Sequence, residues 1–195
     1  NLEIYVTEED TRWAKQVLAK HNVNTSSCLV GMVPGGGASW GKEAKFKRWP
    51  AGNYTKLADK IVEKFNATII LMGDQHEKDL CADVAKSMKH KAIELAGQTN
   101  IQQLAALCRT CRCVVLNDGG PLHIAVAAGA KTFSIFGPVN ENVYGPYPRE
   151  GQVVITKDVA CRPCYRRFRK ASCEHISCLT LLTVEEVFER IVRAI

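Results

Sequence analysis

The sequence lacks several features that would set its class at once. It has no apolar run that approaches the roughly 20 residues of a membrane-spanning helix, no secretory signal at its start, and no internal repeat, low-complexity tract or linker. The 195 residues instead predict one domain, residues 1–195, with a core large enough to fold without disulfide bonds. Because the chain starts at Asn1 rather than Met, and because residues 2–6 look extended, we expect a fragment or a processed half.

The chain also lacks a strong excess of either charge. Its 26 Lys and Arg residues against 20 Asp and Glu residues give a net charge of +6. The basic residues cluster at 42–48 and 162–170. Two local clusters favour anion sites over an extended nucleic-acid-binding face, so we expect no nucleic acid among the partners.

Cysteine, in contrast, is abundant, with nine residues. Five lie in apolar or helical contexts, which predicts buried or free thiols of an intracellular protein: Cys28, Cys81, Cys108, Cys111 and Cys113. The other four form a C-x2-C-x8-C-x4-C pattern: Cys161, Cys164, Cys173 and Cys178. Four thiols at short spacings suit tetrahedral zinc, and the basic residues between them would lower thiol pKa values. Structural zinc, disulfide bonds and free cysteines stay open as alternatives, and none of them would make the cluster catalytic.

Predicted strands and helices alternate along the chain. Apolar runs that end at turn residues predict strands, and apolar stripes at helical spacing predict helices. The predicted strands are 29–33, 68–72, 92–95, 114–116, 132–136 and 152–155, and the predicted helices are 8–21, 53–65 with Asn53 as its N-cap, 78–88, 101–108, 121–128 and one that begins at Thr183. This alternation predicts an α/β fold, a Rossmann-like three-layer α/β/α sandwich around a mostly parallel sheet.

The stretch 113–138, CVVLNDGGPLHIAVAAGAKTFSIFGP, organises the chain. Its buried strand ends at NDGG, residues 117–120, which favour a turn, and Pro121 suits the first position of a helix that Gly129 would end. A strand, a glycine turn and a helix bring free amides to the carboxyl edge of a parallel sheet. Such an edge attracts phosphate through unpaired N–H groups and the helix dipole.

A second glycine loop, residues 34–39 (PGGGAS), follows the first predicted strand. Glycines there let backbone amides approach a ligand closely. Lys45, Lys47 and Arg48 follow, and bare amides beside several cations suit a diphosphate. The alternative is a flexible surface loop next to solvated lysines.

Three further side chains are candidates because of where they lie. Glu77 follows the second strand, where an acid would bind ribose hydroxyls; the alternative is an acid favoured by the dipole of a first helical turn. Asp118 ends the central strand, and we expect sugar hydroxyls as its partners rather than its own turn backbone. His123 lies in the first turn of the next helix, where a neutral imidazole would hydrogen-bond a phosphate or a sugar; the alternative is a packed histidine.

These motifs resemble the lipopolysaccharide heptosyltransferase family, glycosyltransferase family 9. The likeness is carried by PGG at 34–36, KRWP at 47–50, MGD at 72–74, NDGGPLH at 117–123, FGP at 136–138 and the cysteine-bearing tail to Cys178. It covers nearly the whole chain. It implies the carboxyl half of a two-domain enzyme with the GT-B fold, whose C-terminal domain binds the donor, ADP-heptose in the best-known members.

Carried over position by position, the resemblance implies a nucleotide-sugar site in this chain. Its residues are Gly36, Gly37, Ala38 and Lys47 at the diphosphate with the amides of Gly119 and Gly120, Glu77 at the ribose, Thr99 near the base, and Asp118 and His123 near the sugar and diphosphate. The family usually has Ser or Thr after the Asp, where this chain has Gly119. The family's general base, an acid of the N-terminal domain, has no counterpart here, so we expect no catalytic residue in this chain.

The implied function is that of an inverting glycosyltransferase, cytoplasmic or peripheral at the inner membrane, that transfers heptose from ADP-heptose to the lipopolysaccharide core. The implied partners are this donor, the core acceptor and the N-terminal domain of the same protein. No cofactor is expected for catalysis, because protein cations stabilise the leaving diphosphate. The alternatives are a different nucleotide-sugar, a nucleotide-diphosphate-binding module without transferase activity, and a metal-stabilised interaction domain built on the cysteines.

Overall fold

A computed structural model describes residues 2–23, 27–37, 40–166, 169–170 and 173–195. Within them the strands are β1 (Leu29–Val33), β2 (Thr68–Leu71), β3 (Ala92–Glu94), β4 (Cys113–Asn117), β5 (Thr132–Phe136), β6 (Val153–Thr156), β7 (Tyr165–Arg166) and β8 (Arg169–Lys170). The helices are α1 (Glu8–Lys20), α2 (Ala51–Phe65), α3 (Lys78–Ser87), α4 (Ile101–Thr110), α5 (Gly120–Ala127), α6 (Glu141–Tyr144), α7 (Ser177–Thr180) and α8 (Val184–Val192), with 3-10 helices at Gly41–Lys47 and Gln75–Glu77. In these ranges no helix is long and apolar enough to cross a membrane.

The main sheet has six strands in the order β3-β2-β1-β4-β5-β6. Every neighbouring pair in it is parallel, and β7 and β8 form a separate antiparallel hairpin. This confirms the predicted Rossmann-like α/β fold. The strand order reverses between β1 and β4, and this reversal is the switch point of the sheet. In open α/β sheets, ligands bind outside the carboxyl ends of the strands at the switch point.

The sheet is buried on both faces, since β1 and β4 are buried along their whole length. Successive strand residues point to opposite faces, so one core lies on each side. Helices α2, α3 and α8 cover one face, with Tyr54, Leu57, Ile61, Val84, Val187 and Ile191 in the core. Helices α1, α4 and α5 cover the other, with Ala14, Leu18, Leu107, Cys108, Leu122 and Ala125. The architecture is therefore the predicted three-layer sandwich.

The predicted strands and helices of the sandwich are all present, with ends that differ by at most two residues. The prediction that Asn53 caps α2 is wrong. The helix begins at Ala51, and its N-cap is Pro50, without a side-chain cap. The N–H of Asn53 donates to the Pro50 carbonyl at 2.9 Å, so the first turn has already formed when the chain reaches the asparagine.

Trp49 fixes the segment that leads from the 3-10 helix Gly41–Lys47 into α2. Its side chain is 1% exposed, and its indole N–H donates to the Leu182 carbonyl at 2.9 Å. Its backbone N–H donates to Oδ1 of Asn117 at 3.0 Å. Trp49 therefore joins the end of β4 to the C-terminal part of the chain and sets the position from which Lys47 reaches the switch point.

Trp49→Phe is expected to destabilise the fold by about 2 kcal/mol, because it leaves the Leu182 carbonyl without its donor and replaces a buried ring by a smaller one. Urea unfolding measures the change. Trp13→Phe on α1 is the matched control, since Trp13 is only partly buried. Equal losses of stability in the two variants would contradict the anchoring role of Trp49.

Candidate functional site

Two glycine loops meet at the switch point. A Cβ built on Gly119 would lie 1.8 Å from the carbonyl oxygen of Gly36, and one built on Gly36 would lie 3.2 Å from the Asp118 carbonyl. Gly36 also has a φ of +82°, a conformation that favours glycine. The loop after β1 and the loop after β4 therefore pack backbone against backbone. This contact requires glycine at position 119.

Asn117, the last residue of β4, holds the two loops together. It is fully buried, its Nδ2 donates to the Pro34 carbonyl at 2.6 Å, and its Oδ1 accepts the N–H of Trp49 at 3.0 Å. From the sequence, Asn117 was predicted only as a turn-forming residue. The signal available in the sequence was an amide, with both a donor and an acceptor, at the buried end of a strand that borders the switch point.

Glu77 is buried beneath the first glycine loop, with 1% of its surface exposed. Its Oε1 accepts the N–H of Gly37 at 2.7 Å, and its Oε2 accepts the N–H of Asp74 at 3.0 Å. A guanidinium nitrogen of Arg48 lies 3.5 Å from Oε1, while Arg48 Nε donates to the Gly35 carbonyl at 2.8 Å. Glu77 thus completes a capping box with Asp74 and fixes the loop; contact with a ribose stays a prediction.

Lys47 and Asp118 form an ion pair beside the second glycine loop. Lys47 Nζ lies 2.8 Å from Asp118 Oδ2, and the two side chains are 10% and 6% exposed. Nζ also lies 4.9 Å from the ring centroid of Trp40. Burial raises the pKa of Asp118, and the opposing effects of Lys47 and His123 are smaller. The bend at residues 117–120 thus carries a nearly buried ion pair. Burial destabilises the charged form of its carboxylate, Asp118.

Two clefts open on either side of this bend and share Gly120. The nucleoside cleft, of about 260 Å³, is lined by Gly37, Gly73, Asp74, Glu77, Thr99, Asn100, Ile101, Leu104, Gly120, Pro121 and Ile124. The diphosphate cleft, of about 320 Å³, is lined by Trp40, Lys47, Asp118, Gly119, Gly120, His123, Val139, Tyr144 and Tyr165. The two names follow the ligand parts that the resemblance implies for these residues, and binding of either part stays a prediction. The nucleoside cleft is mainly apolar with two carboxylates at its edge, and the diphosphate cleft combines a cation with polar and aromatic side chains.

The N-terminus of α5 lies between the clefts. Gly119 is its N-cap and provides no side-chain hydrogen bond, and Gly120 is exposed. In the first turn of α5, Pro121 has no N–H and the N–H of Leu122 donates to the Gly119 carbonyl at 3.1 Å, so the amides of Gly119 and Gly120 are left for a ligand. The helix dipole makes this end positive. The backbone therefore offers donors to an anion at the point where the two clefts join.

The structure brings nearly all predicted site residues to these clefts. Lys47, Asp118, Gly119, Gly120 and His123 line the diphosphate cleft, Gly37, Glu77 and Thr99 line the nucleoside cleft, and Gly36 forms the contact between the loops. Ala38 lies outside the described residues. Six further lining residues were not predicted from the sequence: Trp40, Tyr144 and Tyr165 in the diphosphate cleft, and Ile101, Leu104 and Ile124 in the nucleoside cleft. Ile101, an apolar side chain that is 57% exposed, carries no sequence signal that separates it from a core residue.

The four clustered cysteines line one small cavity together with His175. All four lie within the described residues, and no disulfide bond joins any two of them. In the described part of the chain, no group of three or more His, Cys, Asp or Glu is arranged to hold a metal ion, so zinc stays a prediction. The expected lowering of thiol pKa values is wrong for Cys178, because burial raises its pKa to about 11 and outweighs the effect of Arg162.

Comparisons with known proteins agree with this geometry. The model of glycosyltransferase family 9 (heptosyltransferase) matches residues 9–175. Lipooligosaccharide heptosyltransferase 2 of Campylobacter jejuni serotype O:2 is 28% identical over 83% of this chain and 49% of its own length. Lipopolysaccharide heptosyltransferase 2 of Escherichia coli K12 is 27% identical over 65% of this chain and 36% of its own length. The chain spans about half the length of the first of these relatives.

Solved structures show the same fold. A glycosyl transferase family 9 protein from Veillonella parvula superposes with a TM-score of 0.82 at 22% identity, over 98% of this chain and 53% of that one. Escherichia coli ADP-heptose lps heptosyltransferase II gives a TM-score of 0.76 at 20% identity, over the same shares.

The fold and the two clefts define a doubly wound α/β domain with a ligand site at the switch point of its sheet. The chain belongs to glycosyltransferase family 9 (heptosyltransferase). The resemblance that the sequence motifs indicated is thereby confirmed.

Gly119→Ala is expected to destabilise the fold by about 1–3 kcal/mol, because the added methyl group would overlap the Gly36 carbonyl and separate the loops. Gly52→Ala on α2 is the control, since a Cβ there meets nothing within 4 Å; it should stabilise the fold by up to about 1 kcal/mol. Urea unfolding of both variants decides the matter, and a Gly119→Ala protein as stable as wild type would rule out the close approach.

Proposed function

We propose that this chain is the donor-binding domain of an inverting glycosyltransferase that transfers heptose from ADP-heptose to the lipopolysaccharide core. The observation that carries the proposal is the Lys47–Asp118 pair beside the exposed Gly120 bend, where the two clefts meet. The relatives support the donor, since Escherichia coli heptosyltransferase WaaC has been solved with ADP and with ADP-2-deoxy-2-fluoro heptose.

The nucleoside cleft suits adenosine. Ile101, Leu104 and Ile124 provide apolar surface for a base, with Thr99 at the same wall. Glu77 and Asp74 provide carboxylate oxygens, which accept hydrogen bonds from ribose hydroxyls. Backbone N–H groups of Gly37 and Asp74 already donate to the two Glu77 oxygens, so the ribose would bind through the remaining lone pairs of an acid whose position is fixed before the donor arrives.

The diphosphate cleft suits the other half of the donor. Lys47 and the amides at Gly119 and Gly120 provide positive charge for two phosphates, and Asp118 and His123 provide hydrogen-bonding groups for the sugar. A phosphate at the bend would give Lys47 a second anionic partner. The desolvated Asp118 would then be able to accept from sugar hydroxyls.

The proposed reaction is a direct displacement at the anomeric carbon of the donor. A base on the acceptor domain removes the proton of the acceptor hydroxyl, and the departing ADP accumulates charge where Lys47 and the α5 amides lie. In this proposal residues 1–195 form the C-terminal donor domain, and the acceptor domain with its base belongs to the rest of the enzyme. The protein cations make a catalytic metal unnecessary, and the enzyme works in the cytoplasm.

Isothermal calorimetry on this chain is expected to show tighter binding of ADP than of UDP or GDP, and of ADP-heptose than of UDP-sugars. Lys47→Met should weaken ADP binding about 10-fold or more, as expected for a lost charge-assisted hydrogen bond, and leave adenosine unchanged. Lys47→Arg, which keeps the charge, should lose less. Lys45→Met is the control, because Lys45 lines a different cleft on the same 3-10 helix.

Equal affinity for all three nucleoside diphosphates would refute the ADP-sugar assignment. An equal loss of ADP and adenosine binding in Lys47→Met would refute the phosphate role of Lys47.

We further propose that the four clustered cysteines, which line one cavity, hold one structural zinc; because the described residues include no group arranged to hold a metal ion, zinc binding would rearrange these thiols. Elemental analysis of the purified chain should then give about one zinc per molecule, and Cys161→Ser should lose it while Cys28→Ser retains it. A metal-free wild-type chain in which all nine thiols react with a thiol reagent after unfolding would exclude both the zinc and the disulfide alternatives. Chelation should leave donor binding by the zinc-loaded chain intact.

A further inference from the structure

Trp40 lies at the start of the 3-10 helix that carries Lys47, and its ring contacts two groups of the diphosphate cleft. The Lys47 ammonium lies 4.9 Å from the ring centroid, within the range of a cation–π interaction. The Tyr165 ring lies 4.7 Å away at an interplanar angle of 34°, and Tyr165 in turn packs edge-on against Tyr144 at 6.0 Å. A row of three aromatic rings therefore ends at the cation of the proposed phosphate site.

Lys47 needs more than one partner to be held in place. Lysine carries a point charge on a flexible stem of four carbons, so the ion pair with Asp118 fixes its distance from one oxygen but not its direction. The Trp40 ring provides a second contact from another side. Together, the two contacts restrict the ammonium to the bend at Gly119 and Gly120.

Trp40 itself is supported by a segment more than a hundred residues further along the chain. The N–H groups of Cys164 and Tyr165 both donate to the Pro138 carbonyl at 3.0 Å, just after β5. Arg162 Nε donates to the Gly137 carbonyl at 2.6 Å, and the same guanidinium pairs with Glu141 at 2.7 Å. The Tyr165 ring is thus attached to the main sheet, and it presents a fixed surface to Trp40.

We infer that Trp40 is a positioning residue that holds the Lys47 ammonium, through its π face, where the diphosphate of the donor binds. The Tyr165 hairpin supports Trp40 in this role. The inference deepens the proposed function and rests on it for the identity of the ligand. The contact between Trp40 and Lys47 lies within the chain itself, so its effect is measurable separately from nucleotide binding.

The first test uses the protein without nucleotide. The charged groups around Asp118 are Lys47 and His123, with the Tyr165 phenol nearby. Because Lys47 opposes the rise in the Asp118 pKa, releasing Lys47 should raise this pKa further. Carboxyl carbon NMR titration should show this rise in Trp40→Leu, whereas Trp40→Phe, which keeps an aromatic face, should stay close to wild type.

The second test compares ADP with adenosine by calorimetry. Trp40→Leu should bind ADP about 5- to 10-fold more weakly and adenosine as tightly as wild type, since only ADP uses Lys47. Trp40→Phe should retain most of the ADP affinity. Phe188→Leu is the matched control. It removes a cation–π contact between Phe188 on α8 and Lys60 on α2, and neither residue lines the two clefts. Multiply fluorinated tryptophan, which keeps the ring shape and weakens the π face, gives the same comparison without a cavity.

The outcomes separate the inference from the proposed function. An equal loss of ADP and adenosine affinity, or an unchanged Asp118 pKa in Trp40→Leu with unchanged ADP affinity, would overturn the positioning role. The Asp118 pKa could rise in Trp40→Leu while the wild-type chain binds UDP as tightly as ADP. That pair of results would retain the positioning role and overturn the ADP-sugar assignment.

Discussion

The site depends on the approach of two backbones at the switch point of the sheet. The Gly36 carbonyl lies where a side chain at position 119 would have to be, and Asn117 bonds across the same gap to Pro34. Sheet topology alone brings the carboxyl ends of β1 and β4 together, but only residues without a Cβ let the loops come this close. The N-terminus of α5 is thereby brought beside the first glycine loop.

Buried charge is the second constraint, and the chain manages it with few groups. Glu77 is almost inaccessible, yet each of its oxygens accepts a backbone N–H, so its charge is compensated by hydrogen bonds. Asp118 has Lys47 as its partner but remains desolvated enough for its pKa to rise. The Glu77 carboxylate thus supports the loop, whereas the Asp118 carboxylate can still accept further hydrogen bonds. For this reason Asp118, rather than Glu77, is the carboxylate that we expect to accept a hydrogen bond from a sugar hydroxyl.

The sequence predicted the fold well because periodicity, turn residues and caps agreed. Asn100 and Thr183 cap their helices, each in a capping box. Prediction failed at Asn53, where Pro50 starts the helix earlier through its fixed φ and its carbonyl. In the site, glycines and charges were visible as motifs, but the aromatic residues were not. Tyr165 is remote from Trp40 in sequence, and only the hairpin and its bonds to Pro138 bring the rings together.

The separation of the site into a nucleoside cleft and a diphosphate cleft also follows from how the two glycine loops meet. The apolar wall of the nucleoside cleft comes from α4 and α5, which pack on one face of the sheet, whereas Lys47 comes from the segment that Trp49 anchors on the opposite face. A ligand that touches both walls must cross the sheet edge at Gly120, where backbone amides and Lys47 are donors. A nucleoside alone would use one wall and a phosphate alone the other. The geometry therefore favours a ligand that has both parts joined, with its most highly charged group at the crossing.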